Sequence, residues 1–193
     1  MSVEHSHATV FFDRDGTLNR DTGYIKTREE LVLFPDTIPA VKRCNDAGLT
    51  VIVITNQSGL ARGYFSGSDL RAIHEELRGQ LLAEGAWIDD ILVCPHHPEE
   101  GCWCRKPNPG MIEQAAARHE IDLTKSYLVG DKYMDVALAA RAKIKGILVK
   151  TGPLSEEAIG MIQDHHLSVS YVANRLLDAV DWILEDINQF SVA

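Results

Sequence analysis

Residues 8–17 read Ala8-Thr9-Val10-Phe11-Phe12-Asp13-Arg14-Asp15-Gly16-Thr17, and the fold can be argued outward from them. Ala8 to Phe12 is a short apolar run that ends abruptly in an acidic, glycine-containing turn, the pattern of a buried strand with a polar carboxyl end. The pattern then returns. Val51-Ile52-Val53-Ile54 leads into Thr55-Asn56-Gln57-Ser58-Gly59, Ser126 to Val129 leads into Gly130-Asp131, and Ile147-Leu148-Val149 leads into Lys150-Thr151-Gly152-Pro153.

Helical stretches separate these runs. Asp36 is expected to cap a helix through Ala47, with Pro39 in its first turn and Gly48 as its stop. Ser66 with Asp69 forms a capping-box pattern ahead of Leu70, Ile73, Leu77 and Leu81, which share one helical face ending near Gly85. Further helices are expected around Met111 to His119, Tyr133 to Ala142 and Asn174 to Ile187, the last placing Leu176, Leu177, Val180, Ile183, Leu184 and Ile187 at core spacing. The Glu75-Glu76 and Glu156-Glu157 pairs read as solvated helix faces. Strands rich in β-branched residues alternating with helices predict an α/β fold, a mostly parallel sheet covered on both faces. In such sheets ligands sit at the carboxyl ends of the strands, where every polar cluster named above falls.

Composition narrows the function classes. The 193 residues suit one domain, 1–193. With 19 Lys and Arg against 28 Asp and Glu, the formal charge of −9 argues against coating nucleic acid or an anionic membrane. Met1 to Val10 lacks the apolar core of a signal peptide and no run is long enough to span a bilayer, so the expected place is the cytoplasm.

Asp13 and Asp15 stand at i and i+2 on the turn after the first strand, and two carboxylates so close repel unless a cation or a proton intervenes. By itself the D-x-D-G pattern also fits a solvated turn. Gly130 to Asp135 adds the carboxylates of Asp131 and Asp135 after another strand. Asp13 and Asp131 with a backbone carbonyl would make an oxygen site suited to magnesium. Thr55 and Ser58 add hydroxyls, and Lys106 and Lys132 add cations of the kind that neutralise a phosphoryl group in transit. No G-x-x-x-x-G-K-[ST] occurs, which argues against a P-loop nucleotidase. A receiver domain is disfavoured because its acceptor aspartate lies on a later strand than its acidic pair.

Residues 94–104, Cys94-Pro95-His96-His97-Pro98-Glu99-Glu100-Gly101-Cys102-Trp103-Cys104, offer three thiolates and an imidazole on one loop, enough for a closed tetrahedral zinc site. Spacing leaves the choice between His96 and His97 open. Cys44 reads as a buried free thiol. His5, His7, His74, His119, His165 and His166 lack an acidic or cysteine partner nearby and read as surface or packing residues.

From Val10 to Thr151 the chain resembles the zinc-containing group of the haloacid dehalogenase superfamily that holds heptose-bisphosphate and histidinol-phosphate phosphatases. The residues concerned are F-F-D-R-D-G-T-L-N at 11–19, D-T-G-Y at 21–24, T-N-Q-S-G-L-A-R-G at 55–63, C-P-H-H-P at 94–98, C-W-C-R-K-P-N-P-G-M at 102–111 and V-G-D-K-Y-M-D at 129–135. The resemblance implies a three-layer, Rossmann-like parallel sheet with a zinc-binding loop insertion. It implies Asp13 as nucleophile, Asp15 as general acid and base, and Thr55 and Lys106 as stabilisers of the transferring phosphoryl group. Asp13, the Asp15 carbonyl and Asp131 are the implied ligands of a catalytic magnesium, and Cys94, His96, Cys102 and Cys104 those of a structural zinc. Asp13, Arg14 and Asp15, Asp21, Thr22, Gly23 and Tyr24, Thr55, Asn56, Gln57 and Ser58, and Arg105, Lys106 and Lys132 are the implied substrate contacts, Arg105 aiding recognition.

The implied chemistry is hydrolysis of the 7-phosphate of a heptose 1,7-bisphosphate in the route to cell-envelope polysaccharide, with histidinol phosphate as the alternative substrate. A zinc-stabilised binding module without turnover is the alternative of another class. Asp15 is expected to start protonated and Asp13 ionised. The implied partner is a small sugar phosphate, met by a monomer. One departure is visible: only Pro98 to Gly101 separate the histidines from Cys102, shorter than in some relatives. The intervals from Asp13 to Thr55 and from Thr55 to Lys106 are too short for a cap domain of ordinary domain size, so an open site covered by loops is expected.

Overall fold

A computed structural model describes residues 8–190, so His5 and His7 lie outside the described residues. The elements follow in the order β1 (Thr9–Phe12), α1 (Thr37–Asp46), β2 (Thr50–Asn56), α2 (Gly67–Ala83), β3 (Asp90–Cys94), α3 (Gly110–Arg118), β4 (Tyr127–Gly130), α4 (Tyr133–Ala142), β5 (Lys145–Val149), α5 (Ser155–Asp164), β6 (Tyr171–Ala173) and α6 (Leu176–Phe190). All six strands are parallel, in the order β3-β2-β1-β4-β5-β6. The chain therefore winds outward from β1 to one edge, crosses back, and winds outward from β4 to the other.

Strand alternation assigns the faces. Val10 and Phe12, Val51 and Val53, and Tyr127 and Val129 pack with α1, α2 and α6. Phe11, Ile52, Ile54 and Leu128 point the other way, onto α3 and α4, and Leu148 meets α4 and α5. Both faces are covered, which is why these strands read as continuous apolar runs. Cys44 is buried on α1, where burial pushes its thiol up to about 12.

Three expectations change. The segment Ile91-Leu92-Val93, not singled out from sequence, is the body of strand β3 and carries the chain into the cysteine loop. Asp36 precedes α1 but makes no side-chain cap, because its φ of −84° and ψ of −8° are already helical; its carboxylate faces Arg175 instead. Residues 171–173 form a sixth strand too short to show alternation. The capping box of α2 forms as expected: Asp69 N donates to Ser66 Oγ (3.2 Å) and Ser66 N to Asp69 Oδ2 (2.7 Å). Among the described residues no further domain interrupts the intervals between strands, and no helix is long and apolar enough to cross a membrane.

Candidate active site

The winding direction reverses between β1 and β4, and ligands of doubly wound sheets bind at that crevice. Asp13 follows β1, and Asp131 follows β4, so adjacent parallel strands deliver both to the same place. Gly16 lets them meet. Its φ is +93°, and a Cβ there would fall 2.3 Å from Asp131 Oδ2.

Lys106 lies beneath this pair, 4% exposed. Its ammonium reaches Asp13 Oδ1 at 2.8 Å, Asp135 Oδ1 at 2.7 Å and the Ile54 carbonyl at 3.2 Å, one acceptor for each of its three protons. Burial opposes the charge, yet the carboxylates of Asp13 and Asp135 outweigh it and hold Lys106 above its ordinary value. Asn56 fixes the backbone of the same residue, accepting from Lys106 N (3.1 Å) and donating to Lys106 O (3.3 Å). Asp135 was not among the residues expected to act. It is fully buried, and the single clue in sequence was an acidic residue in the first turn of a helix, which ordinarily means capping. It does bond to Lys132 N at 3.1 Å, but its other oxygen anchors Lys106.

Asp15 is enclosed by four donors. Arg14 Nε and Asn19 Nδ2 reach Oδ1 at 3.0 and 2.9 Å, while Arg14 Nη2 and Gln57 Nε2 reach Oδ2, each at 2.7 Å. Burial alone would raise the carboxyl, but Arg14, aided by Asn19 and Gln57, holds it below the usual range. The resting carboxyl is thus held toward its ionised form, and the proton expected on Asp15 at the first step has to arrive with the substrate. Gln57 Nε2 also lies 2.8 Å from Thr55 Oγ1, tying the threonine to Oδ2. His74, read from sequence as a packing residue, stands 3.1 Å from Arg14 Nη1. His119, read from sequence as having no acidic partner, has one in Asp90, 3.2 Å away.

The three oxygens expected to hold magnesium converge. The Lys132 ammonium is 2.9 Å from the Asp15 carbonyl, 3.6 Å from Asp131 Oδ1 and 4.0 Å from Asp13 Oδ2, so the three oxygens face one cation position, which this side chain itself fills. Asp131 Oδ2 is buried without a partner, and burial with the neighbouring Asp13 charge pushes the Asp131 carboxyl up to about 8. Asp131 Oδ1, Asp13 Oδ2 and the Asp15 carbonyl make an all-oxygen donor set, which fits a hard cation. Asp21 joins this group through Lys132, 3.0 Å away. Thr22, Gly23 and Tyr24 do not reach it and form an exposed rim, where Tyr24 meets Tyr64 edge to face at 4.8 Å. Ser58 is buried behind Thr55, and Arg105 is half-buried, its Nη1 3.4 Å from the His96 carbonyl.

The cysteine loop closes on itself. Cys94 Sγ lies 3.5 Å from Cys102 Sγ and 3.6 Å from His96 Nδ1; Cys104 Sγ lies 3.7 Å from Cys102 Sγ and 3.2 Å from His96 Nδ1. A zinc tetrahedron with ordinary Zn–S and Zn–N bonds has edges of roughly 3.5–3.8 Å; three of the four separations fall in that range and the fourth is shorter, and the three thiols and one imidazole are a donor set that fits zinc. His97 is used elsewhere: its Nδ1 accepts from Glu99 N, capping the turn at Pro98–Glu100.

Three comparisons bear on this geometry. Residues 103–179 match the family model described as "HAD-hyrolase-like". The chain is 42% identical over 185 residues to the D-glycero-D-manno-heptose-1,7-bisphosphate 7-phosphatase of Thermosynechococcus vestitus, covering 90% of this chain and 94% of that one. It is 43% identical over 148 residues to the D-glycero-beta-D-manno-heptose-1,7-bisphosphate 7-phosphatase of Pseudomonas aeruginosa, covering 76% and 83%. The chain belongs to the heptose-1,7-bisphosphate 7-phosphatase family. A solved structure of a heptose-1,7-bisphosphate phosphatase from B. bronchiseptica, complexed with magnesium and phosphate, superposes with a TM-score of 0.85 at 35% identity, covering 93% of this chain and 99% of that one. The sheet and helices of this member of the heptose-1,7-bisphosphate 7-phosphatase family thus follow the haloacid dehalogenase-like fold expected from its motifs.

Proposed function

We propose that this chain is a magnesium-dependent phosphatase that removes the 7-phosphate of D-glycero-D-manno-heptose 1,7-bisphosphate, a step toward cell-envelope heptose, through an aspartyl phosphate on Asp13. The observation that carries the reading is the convergence of Asp13, Asp131 and the Asp15 carbonyl on one cation position, with Lys106 held against the same Asp13 carboxylate.

Magnesium held by Asp13, Asp131 and the Asp15 carbonyl would offset charge on the phosphoryl oxygens. Lys106 and Arg14 N, both bonded to Asp13 Oδ1, fix the nucleophile's orientation. Asp13 attacks phosphorus in line as the P–O7 bond breaks, and the departing oxygen takes its proton from Asp15. Water then attacks the aspartyl phosphate, gives a proton to Asp15, and phosphate leaves with Asp13 restored. Asp15 rests ionised among its donors; the negative charge of the arriving phosphoryl group raises its proton affinity, so it takes a proton from solvent as substrate binds, gives it to the leaving oxygen, and returns to solvent the proton it later takes from the attacking water. Oδ2, shared with Gln57 beside Thr55, is the oxygen on the phosphoryl side. Lys132 and Asp21 border the sugar, and Arg105 reaches it from the cysteine loop. Cys94, His96, Cys102 and Cys104 would hold a zinc that fixes that loop and takes no part in the chemistry.

The test is phosphate release from the α and β anomers of the heptose bisphosphate, fructose bisphosphate and histidinol phosphate, with and without magnesium. The heptose esters are expected to turn over fastest, and Asp13→Asn to abolish release while Asp15→Asn retains a trappable phosphoenzyme. Histidinol phosphate turning over faster reassigns the substrate. Near-normal release by Asp13→Asn ends the mechanism, and no release from any ester by the unaltered chain leaves a binding module.

A further inference from the structure

We propose that His74, on α2, is a positioning residue for the general acid and base, acting through the guanidinium of Arg14. The inference rests on the role of Asp15 given above.

Arg14 is 1% exposed, an unusual place for a cation, and its donors are divided between two partners. One edge of the guanidinium, Nε and Nη2, grips both oxygens of Asp15; Nη1, on the far side, meets His74 Nε2 at 3.1 Å. Arginine can only donate, so His74 Nε2 is the acceptor and the imidazole proton sits on Nδ1. Burial, with Arg14 and Arg78 nearby, pushes His74 down to about 3 despite the Asp15 charge, which keeps that acceptor available at neutral pH.

The imidazole is itself held rigidly. His74 sits beside Ile73 on a 17-residue helix that starts in a capping box and buries Ile73, Leu77 and Leu81 in the core. Arg14, by contrast, lies in a turn. The contact therefore carries the fixed position of α2 to a loop carboxylate, and a planar guanidinium transmits orientation as well as place. Without an acceptor at 74, Nη1 is a buried donor with no partner, and the guanidinium must rotate to satisfy it. Asp15, gripped by the same plane, turns with it.

The predicted defect concerns proton delivery, so it depends on the leaving group. An alkoxide needs a proton as it departs, whereas 4-nitrophenolate hardly does. The comparison is kcat/KM for heptose bisphosphate and for 4-nitrophenyl phosphate in the unaltered chain, His74→Leu and His74→Gln, with circular dichroism and thermal unfolding showing that each is folded. His74→Leu should lose about 10- to 100-fold on the sugar ester and less than about threefold on the aryl ester. His74→Gln, whose amide oxygen can accept from Nη1, should recover most of the loss. If the leucine variant does not fold, His74→Ala takes its place in the comparison. Equal losses on both esters, no loss on either, or a glutamine variant no better than leucine overturn the inference while the phosphatase reading stands. Release from neither ester by the unaltered chain overturns that reading, and this inference with it.

Discussion

His74 shows how one residue's surroundings set a property of the whole chain. In the unfolded chain it takes up a proton near pH 6.5, while in the fold burial and the adjacent Arg14 and Arg78 keep it neutral down to about 3. Between those values the unfolded state binds the extra proton, so the component of stability due to His74 is intact above about pH 6.5 and is lost as pH falls below it. At about pH 4.5 the loss amounts to roughly 2 kcal/mol after allowance for partial solvation. His74→Gln lacks this component, so urea unfolding of the two chains should show the variant gaining on the original by about that amount between about pH 7 and pH 4.5. A difference that stays constant with pH refutes the argument. None of this was legible in sequence, because the partner lies 60 positions away and the imidazole sits on a helix whose apolar pattern invites a packing explanation. The meeting of Asp13 and Asp131 was legible, since each directly follows an apolar strand with a charge that a buried turn would otherwise avoid.

At the level of elements, the helices with strong end signals were read nearly to the residue. Ser66 and Asp69 mark the start of α2 because their bonds are local and span only two intervening residues. β3 and β6 escaped because they are the edge strands, only partly buried and so without the continuous apolar run of β1 or β4, and their partners β2 and β5 supply the pairing. The cysteine loop is intermediate: its clustering of Cys94, His96, Cys102 and Cys104 was legible, yet the choice of histidine was open until His97 is seen capping the next turn. That loop carries Arg105, whose Nη1 rests on the His96 carbonyl, directly before Lys106, which Asn56, Asp13 and Asp135 hold independently. Loss of zinc should therefore loosen Arg105 more than Lys106. Stripping zinc, or Cys102→Ser, is expected to raise KM for the sugar bisphosphate about tenfold or more with kcat changed by less than about threefold, and to expose 94–104 to proteolysis. A zinc-free chain that stays folded with unchanged kinetics contradicts the assigned role.

For the whole molecule, the decisive feature is the reversal of strand order at β1 and β4, which places one carboxylate from each half of the chain at a single point. Motif order hinted at this, but no local pattern states that Lys132 would lie within 4.0 Å of Asp13 and 3.6 Å of Asp131. The same geometry crowds the Asp13 and Asp131 carboxylates at one buried point, and two like charges so close destabilise the fold that creates them. A cation bound there joins the two halves across the crevice and binds the folded state alone. Magnesium at about a hundredfold excess over its Kd should then add about 2.7 kcal/mol, a rise of roughly 5–10 °C in Tm for a chain of this size. Thermal unfolding with and without magnesium measures the shift. Asp131→Asn removes half of the carboxylate pair that spans the crevice, so its Tm should hardly respond; a variant that responds as the original does would place the cation elsewhere.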